Sequence, residues 1–261
     1  MNILIKSPQK CEIISSIFQH MKLFSENINV CFSENQFFIQ AMDSSHISII
    51  EVKIPCSWFD KYEYKENPNI TIGINTVVLF KILSTRDKTQ SIQFQYDTEK
   101  ADNMFVHFQS DNKAVFDKHF EVPLIDIDCE LMEIPSTDHD AEFTLSSSLF
   151  ASLISNLKLF GDTLDVACSE EKITLFSHSL DSGKMSVDIN IDDLNSFSIN
   201  EGEELKLSFS LNNLYNMVQF HKISSQVEVK VSRDYPMNII FRMGEENATL
   251  SMYLAPKISE E

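Results

Sequence analysis

Asp138-His139-Asp140 puts three potential metal ligands in succession. Three adjacent side chains point in different directions, however, and no second histidine motif supports them, so a solvated turn is the expectation. Asp43-Ser44-Ser45-His46 holds the residue types of a nucleophilic triad, but triads are assembled across a fold by geometry, not by adjacency. With Gly 5 in the whole chain there is no Gly-rich phosphate loop. Trp58 and Phe59 are expected as a packing anchor or exposed aromatics, not a base-stacking platform. The five cysteines (Cys11, Cys31, Cys56, Cys129, Cys168) are odd in number, scattered and without a C-x-x-C pair. Neither a disulfide framework nor a zinc site is expected. The chemistry on view is therefore not that of an enzyme: no catalytic residue, metal or cofactor is expected.

The 261 residues suit one large or two modest domains, and a hydrophobic content of 43% supports a packed core. No apolar run reaches the ~18 residues of a membrane span, and the apolar start at Asn2-Ile-Leu-Ile is too short for a secretory signal. A soluble intracellular protein with no membrane partner is expected. The net charge of −18 argues, on average, against contact with nucleic acid or anionic lipid.

The chain repeats itself at an offset of 136. Ile13, Ile14, Ile17, Phe18, Met21 and Phe24 match Leu149, Phe150, Leu153, Ile154, Leu157 and Phe160. Lys22-Leu23 matches Lys158-Leu159, and Val30, Ser33 and Glu34 match Val166, Ser169 and Glu170. Two copies of one unit are read, near 1–118 and 137–256. In each, 3–4 spacing marks an amphipathic helix, at 9–24 and 146–160. Alternating stretches rich in β-branched and aromatic residues follow as strands: Ile28–Phe32, Gln36–Gln40, Ile47–Ile54, Ser91–Tyr96 and Met104–Phe108, then 164–168, 172–177, 184–191, 226–232, 237–243 and 247–253. Second helices are read at 75–84, with Asn75 as N-cap, and at 211–222; Ser146, Ser147 or Ser148 would cap the third helix. Each unit is thus a largely antiparallel sheet with two helices on one face. The connector 119–136 alternates Asp126, Asp128, Glu130 and Glu133 with Leu124, Ile127, Leu131 and Met132.

The four helical windows, about a fifth of the chain, hold one acidic residue, Glu12, of the 39 present. They also hold Lys10, Lys22, Lys81, Lys158 and Lys222. Glutamate has good helix propensity, so its exclusion needs a reason. The faces opposite the apolar stripes carry Ser15, Gln19 and Lys22; Ser148, Ser152, Ser155 and Lys158; Asn212, Asn216 and Gln219. Such a surface can lie near phosphates without repulsion, and without Arg forks it does not read sequence. Burial against another protein surface is the competing reading.

Ala41-Met-Asp-Ser-Ser-His-Ile-Ser-Ile-Ile, the connector ending Ile134-Pro135, and Leu254-Ala-Pro-Lys-Ile-Ser-Glu-Glu closely resemble the PCNA family of eukaryotic and archaeal sliding clamps, across essentially the whole chain. The resemblance implies an α+β DNA-clamp fold: two similar domains (1–118 and 137–256) joined by the 119–136 connector, with a 257–261 tail, sheets outside and helices inside, three chains closing a ring around duplex DNA. It implies DNA contact through Lys10, Lys22, Lys81, Lys158 and Lys222. It implies a pocket for the short PIP motif of polymerases and other replication or repair proteins, bounded by Met42, His46, Ile47 and Ile49; by Leu124, Ile127, Met132, Ile134 and Pro135; and by Tyr235, Pro236, Tyr253, Ala255, Pro256, Lys257 and Ile258. Subunits would join edge to edge through Ala114–Val122 (Phe116, Phe120, Val122) and Lys184–Asp188 (with Ser186), after loading by a clamp loader, in the nucleus or at a viral replication site. The chain departs from the family at Ser15, Ser16, Ser152 and Ser155, where basic residues are usual. It departs again at Glu170, where the family has a ubiquitin-acceptor lysine; nearby Lys172 is not the matching position. The alternatives are a subunit of a heteromeric checkpoint-type clamp and, further off, a metal-dependent enzyme.

Overall fold

The computed structural model describes residues 1–64, 69–97, 102–128, 130–135, 137–244 and 246–257. The chain groups into two compact units. One comprises Met1–Ser44, Ile50–Met132 and Met243–Leu250, the other Ser45–Ile49, Glu133–Arg242 and Ser251–Glu261. The 119–136 connector thus forms no body of its own, being shared between the two units at Met132 and Glu133.

The first unit runs β1 (Asn2–Ile5), α1 (Pro8–Met21), β2 (Asn27–Phe32), β3 (Gln36–Met42), β4 (Ser48–Pro55), β5 (Lys61–Glu63), β6 (Ile70–Asn75), α2 (Thr76–Leu83), β7 (Ser91–Tyr96), β8 (Asn103–Gln109) and β9 (Lys118–Pro123). Five strands pair antiparallel in the order β5-β1-β7-β8-β9. A second array runs β4-β3-β2-β6, with β2 antiparallel to both β3 and β6. The alternation of buried and half-exposed residues along β2 and β8 is that of strands with one face on a core.

The second unit repeats the plan: β10 (Ala141–Ser146), α3 (Ser147–Leu157), β11 (Thr163–Cys168), β12 (Lys172–Ser179), β13 (Gly183–Asn190), β14 (Ser196–Ile199), β15 (Leu205–Ser210), α4 (Leu211–Met217) continued by a 3-10 turn at Val218–Ile223, β16 (Gln226–Val231), β17 (Met237–Arg242) and β18 (Thr249–Leu254). Its arrays run β14-β10-β16-β17 and β13-β12-β11-β15. The offset of 136 holds at the level of elements, since β2 begins at Asn27 and β11 at Thr163, β3 at Gln36 and β12 at Lys172.

The helices start where their caps permit. Ser7 accepts from the Lys10 amide with Pro8 in the first turn, Asn75 accepts from Val78, Ser146 from Leu149 and Ser210 from Asn213. α1 buries Cys11, Ile13, Ile14, Ile17, Phe18 and Met21. α3 buries Ser147, Phe150, Ala151, Ile154 and Leu157, the same stripe shifted by 136 at four positions. Each large aliphatic side chain so buried contributes about 1.5–3 kcal/mol.

The sequence reading missed β1, β5, β6, β10, β14 and β15, and it placed β9 only through the family resemblance. β5 and β14 are too short, at three and four residues, to show a period. β6 contains Gly73, a poor strand former by itself. β13 stops at Asn190 because a 3-10 turn takes over at Ile191–Asp193. Trp58 is fully buried; its Nε1 donates to the Met243 carbonyl at 2.9 Å, so it is an internal anchor.

Candidate nucleic-acid interface and partner surface

The solvent side of α1 carries Glu12, Gln19 and Lys22, and that of α2 carries Val77, Val78 and Lys81. Glu12, the one acid of the helical windows, pairs with Arg86 at 2.5 Å, whose side chain is only 3% exposed. Arg86 Nη1 donates in turn to the carbonyls of Asp87, Lys88 and Gln90. The first unit's helical surface therefore presents no unpaired carboxylate among its described residues. In the second unit α3 exposes Ser148, Leu149, Ser152 and Asn156, followed by Leu159, while Asn212 and Lys222 are exposed at α4 and its continuing turn.

The five lysines are not equivalent. Lys22, Lys81 and Lys222 are exposed. Lys158 is half-buried with its Nζ 4.2 Å from the Tyr215 ring centroid, a cation–π contact that leaves the charge in place. Lys10 differs: its Nζ donates to the Trp58 carbonyl at 2.6 Å and to Glu246 at 2.8 Å, and lies over the Trp58 ring. Its charge is neutralised inside the first unit, so of the five it is the one withdrawn from phosphate. The hydroxyls of Ser15 and Ser155 turn back onto the carbonyls of Cys11 and Ala151. The sequence reading also overlooked the apolar content of these faces: Leu23, Val77, Val78, Leu149 and Leu159 are all more than a third exposed. Leu149 occupies the repeat position of buried Ile13.

The residues expected to bound a partner pocket divide between the units. In the first, the connector is tied strand by strand. Leu124 donates to Asp102, Ile125 to Gly73, and Asn29 to the Ile127 carbonyl at 3.0 Å. The Met132 amide donates to Gln40 Oε1 at 2.7 Å, and Gln40 Nε2 returns a bond to the Met132 carbonyl at 2.9 Å. Leu124, Ile127 and Met42 are half-buried, whereas Ile125, Leu131 and Met132 are exposed. In the second, His46 is exposed in a turn at φ 59°, and Ile47 accepts from the Ala255 amide at 3.0 Å. This bond holds the Ala255-Pro256 segment to the turn. Ile47, Tyr235, Pro236, Pro135 and Lys257 are exposed; Ile49, Ile134, Tyr253, Ala255 and Pro256 are half-buried. Lys257 is fixed through its amide to Ser208 and through Nζ to Thr163. Ile258 lies outside the described residues, as does Cys129.

Among the strands that end their arrays are β9, beyond β8, and β13, beyond β12. Just ahead of β9, Phe116 is 83% exposed. Phe120 packs on Phe108 with centroids 5.4 Å apart. Val122 corrects the expectation drawn from sequence: it is fully buried in its own unit, so only its backbone is available to a neighbour. On β13, Lys184, Ser186 and Asp188 are exposed in alternation with Met185, Val187 and Ile189. Asp188 is held below the usual carboxylate range by hydrogen bonds from Thr174 and Lys172. Leu180, in the turn before β13, is fully exposed; an apolar residue inside Ser179-Leu-Asp-Ser-Gly is the signal that would have found it.

Asp138-His139-Asp140 is not the solvated turn expected. Asp140 accepts from Ser232 Oγ at 3.0 Å and from the Arg233 amide at 2.9 Å, bracing two segments. His139 is half-buried, and burial, followed by the Lys230 charge, holds its imidazole below the usual range. Glu170 accepts from the Gly202 amide at 2.9 Å.

Comparison with known proteins adds the following. Residues 6–131 match the family described as proliferating cell nuclear antigen, N-terminal domain, and residues 133–258 match its C-terminal domain. Among curated proteins, the chain is similar to proliferating cell nuclear antigen 2 of Drosophila melanogaster, 25% identical over 228 residues that cover 87% of each chain.

Proposed function

The chain belongs to the proliferating cell nuclear antigen family of non-enzymatic sliding clamps, and from that premise we propose that it closes as a ring of three identical copies and tethers a DNA polymerase and other replication or repair proteins to duplex DNA. The observation that carries this reading is a contrast of charge. A chain at −18 keeps the described residues of its helical faces free of unpaired acids, places Lys22, Lys81 and Lys222 on them, and neutralises Glu12 with Arg86.

The mechanism is topological. A closed ring cannot leave duplex DNA sideways, so retention needs little direct affinity. Few phosphate contacts favour sliding, because each adds affinity that must be released at every step and that falls with salt. Serines where relatives carry basic residues fit a weakly attractive lining. The acidic remainder of the surface repels DNA from everywhere else. A polymerase held by its peptide motif then meets its template at high effective concentration. Met132 in the first unit, and Ile47 and Tyr235 in the second, are exposed apolar or aromatic side chains of the kind that accommodates varied aromatic anchors. The open sides of β9 and β13, with exposed Phe116 beside one and Leu180 beside the other, supply a seam in which two unpaired edges are hidden together. We place the working protein in the nucleus or at a viral replication site, loaded by a clamp loader.

Light scattering after size-exclusion chromatography, across dilution, tests the ring. A mass of about 90 kDa, three times the 30.0 kDa chain, is expected. A persistent 30 kDa species would overturn the self-sufficient ring and favour a heteromeric clamp subunit. Retention on closed circular DNA and release on linearisation then test the topology.

A further inference from the structure

His107 on β8 and His119 on β9 stand directly opposite each other in the antiparallel ladder. Their Nδ1 atoms are 2.7 Å apart, with ring centroids at 4.9 Å and planes inclined by 64°. At that distance the two nitrogens share one proton. The Nε2 of His107 lies 3.2 Å from Gln95 Oε1 on β7. An amide oxygen accepts there, so the His107 proton sits on Nε2 and the Nδ1 lone pair faces His119. This is the arrangement in which a metal-ligating histidine is usually held: one nitrogen donates to a fixed carbonyl while the other is aimed at the site. His119 is exposed, so the pair opens to solvent on one side. Side chains two residues apart on a strand share a face, which adds the exposed Glu121 carboxylate to that side of β9.

The geometry points to a two-imidazole chelate, His107 Nδ1 and His119 Nδ1, for a divalent cation of the class that prefers nitrogen ligands, Zn2+ foremost. Bonds of about 2.0–2.1 Å to each nitrogen need them about 3.3 Å apart in a tetrahedral site, a small opening of the present contact in which the cation replaces the shared proton. The His119 proton passes by way of solvent from Nδ1 to Nε2, so both rings bind the cation as neutral imidazoles. Imidazole pairs suit Zn2+, Cu2+ and Ni2+ and not Mg2+ or Ca2+. Among the described residues no group of three or more His, Cys, Asp or Glu gathers at any point, so the site is open, with water in its remaining positions and exchangeable occupancy. A bound ion would staple the outermost strand of this sheet to its neighbour, whether or not β9 serves as a seam between copies.

Zn2+ titration of the full chain at pH 7.5 against a chromogenic chelator, with Cu2+ electron paramagnetic resonance to count nitrogen ligands, tests the site. One equivalent per chain is expected, with a two-nitrogen signature. His119→Gln and His107→Gln should each weaken binding about tenfold or more, while His178→Gln, elsewhere in the fold, leaves it unchanged. His119→Gln changes an exposed side chain, and an unchanged melting temperature establishes that its loss of binding is not loss of fold. Absence of binding by the parent chain, or equal binding by the parent and both pair variants, overturns the assignment.

Discussion

The Ile125 amide donates to the Gly73 carbonyl at 2.9 Å, and the Ile125 carbonyl lies 2.1 Å from where a Cβ on residue 73 would be. The connector can run along β6 only because residue 73 has no side chain. The glycine that hid β6 from a propensity reading is thus the one that lets the connector dock.

Gly73→Ala should therefore dislodge the connector. The methyl group meets backbone, which cannot swing aside as a side chain can. Faster hydrogen exchange at the Ile125 amide is expected, with a loss of about 1–3 kcal/mol in urea unfolding. Unchanged protection of that amide would contradict the account.

The unequal lysines give a second outcome. Lys22→Ala, Lys81→Ala and Lys222→Ala together should reduce clamp-dependent stimulation of a polymerase and flatten its salt dependence, by up to about 0.9 in the log–log slope for each phosphate no longer neutralised. Lys10→Ala should leave that slope alone and lower the melting temperature, because it removes the ion pair to Glu246 and uncaps the Trp58 carbonyl. An intact slope in the triple variant would remove these lysines from the lining.

Trp58 carries an indole hydrogen bond in a dry setting. Trp58→Phe keeps a ring but orphans the Met243 carbonyl, and should cost about 1–3 kcal/mol. Trp58→Ala adds a cavity and should cost about 3–5 kcal/mol. Denaturant titration separates the two, and equal costs would show that the bond contributes little beside the packing.

Acid should weaken the fold in a defined window. His107 is disfavoured as a cation by burial and by His119, and His139 by burial and by Lys230, against the smaller opposing effects of Glu142, Asp140 and Asp138. Both native imidazoles thus take up protons later than the unfolded ones. As pH falls below about 6.5 the unfolded chain binds more protons, so stability present above that value declines. Urea midpoints between pH 7.5 and 5.5 should fall, and less steeply in a His107→Gln/His139→Gln variant. A parallel pair of profiles would locate the sensitivity elsewhere.

Thiol reactivity should follow burial. Burial pushes the Cys11 thiol up to about 11 and the Cys168 thiol up to about 12. Both should resist alkylation at pH 8 until the chain is unfolded, while half-buried Cys31 and Cys56 react sooner. Peptide mapping after timed labelling reads the order, and early labelling of Cys11 or Cys168 would expose local opening of α1 or β11.

The sequence by itself determined the duplicated plan, the four helices and the Asn75 cap, and narrowed the cap of the third helix to three serines, because helical period and capping are local properties written within a dozen residues. It also determined the exclusion of acids from the helices, a matter of composition. The tertiary structure alone decided what lies across from each side chain. Ile13 and Leu149 share a repeat position, yet one is buried and the other is half exposed. Val122 belongs to an outermost strand and still faces a core. Lys10 finds Glu246, 236 residues away, and His107 finds His119 through a hairpin whose register no pattern announces. Periodicity reports which face of an element is apolar. The partner of a polar group is set by how elements pair, through contacts distant in the chain, and for this protein those pairings settle which lysines remain free and which imidazoles meet.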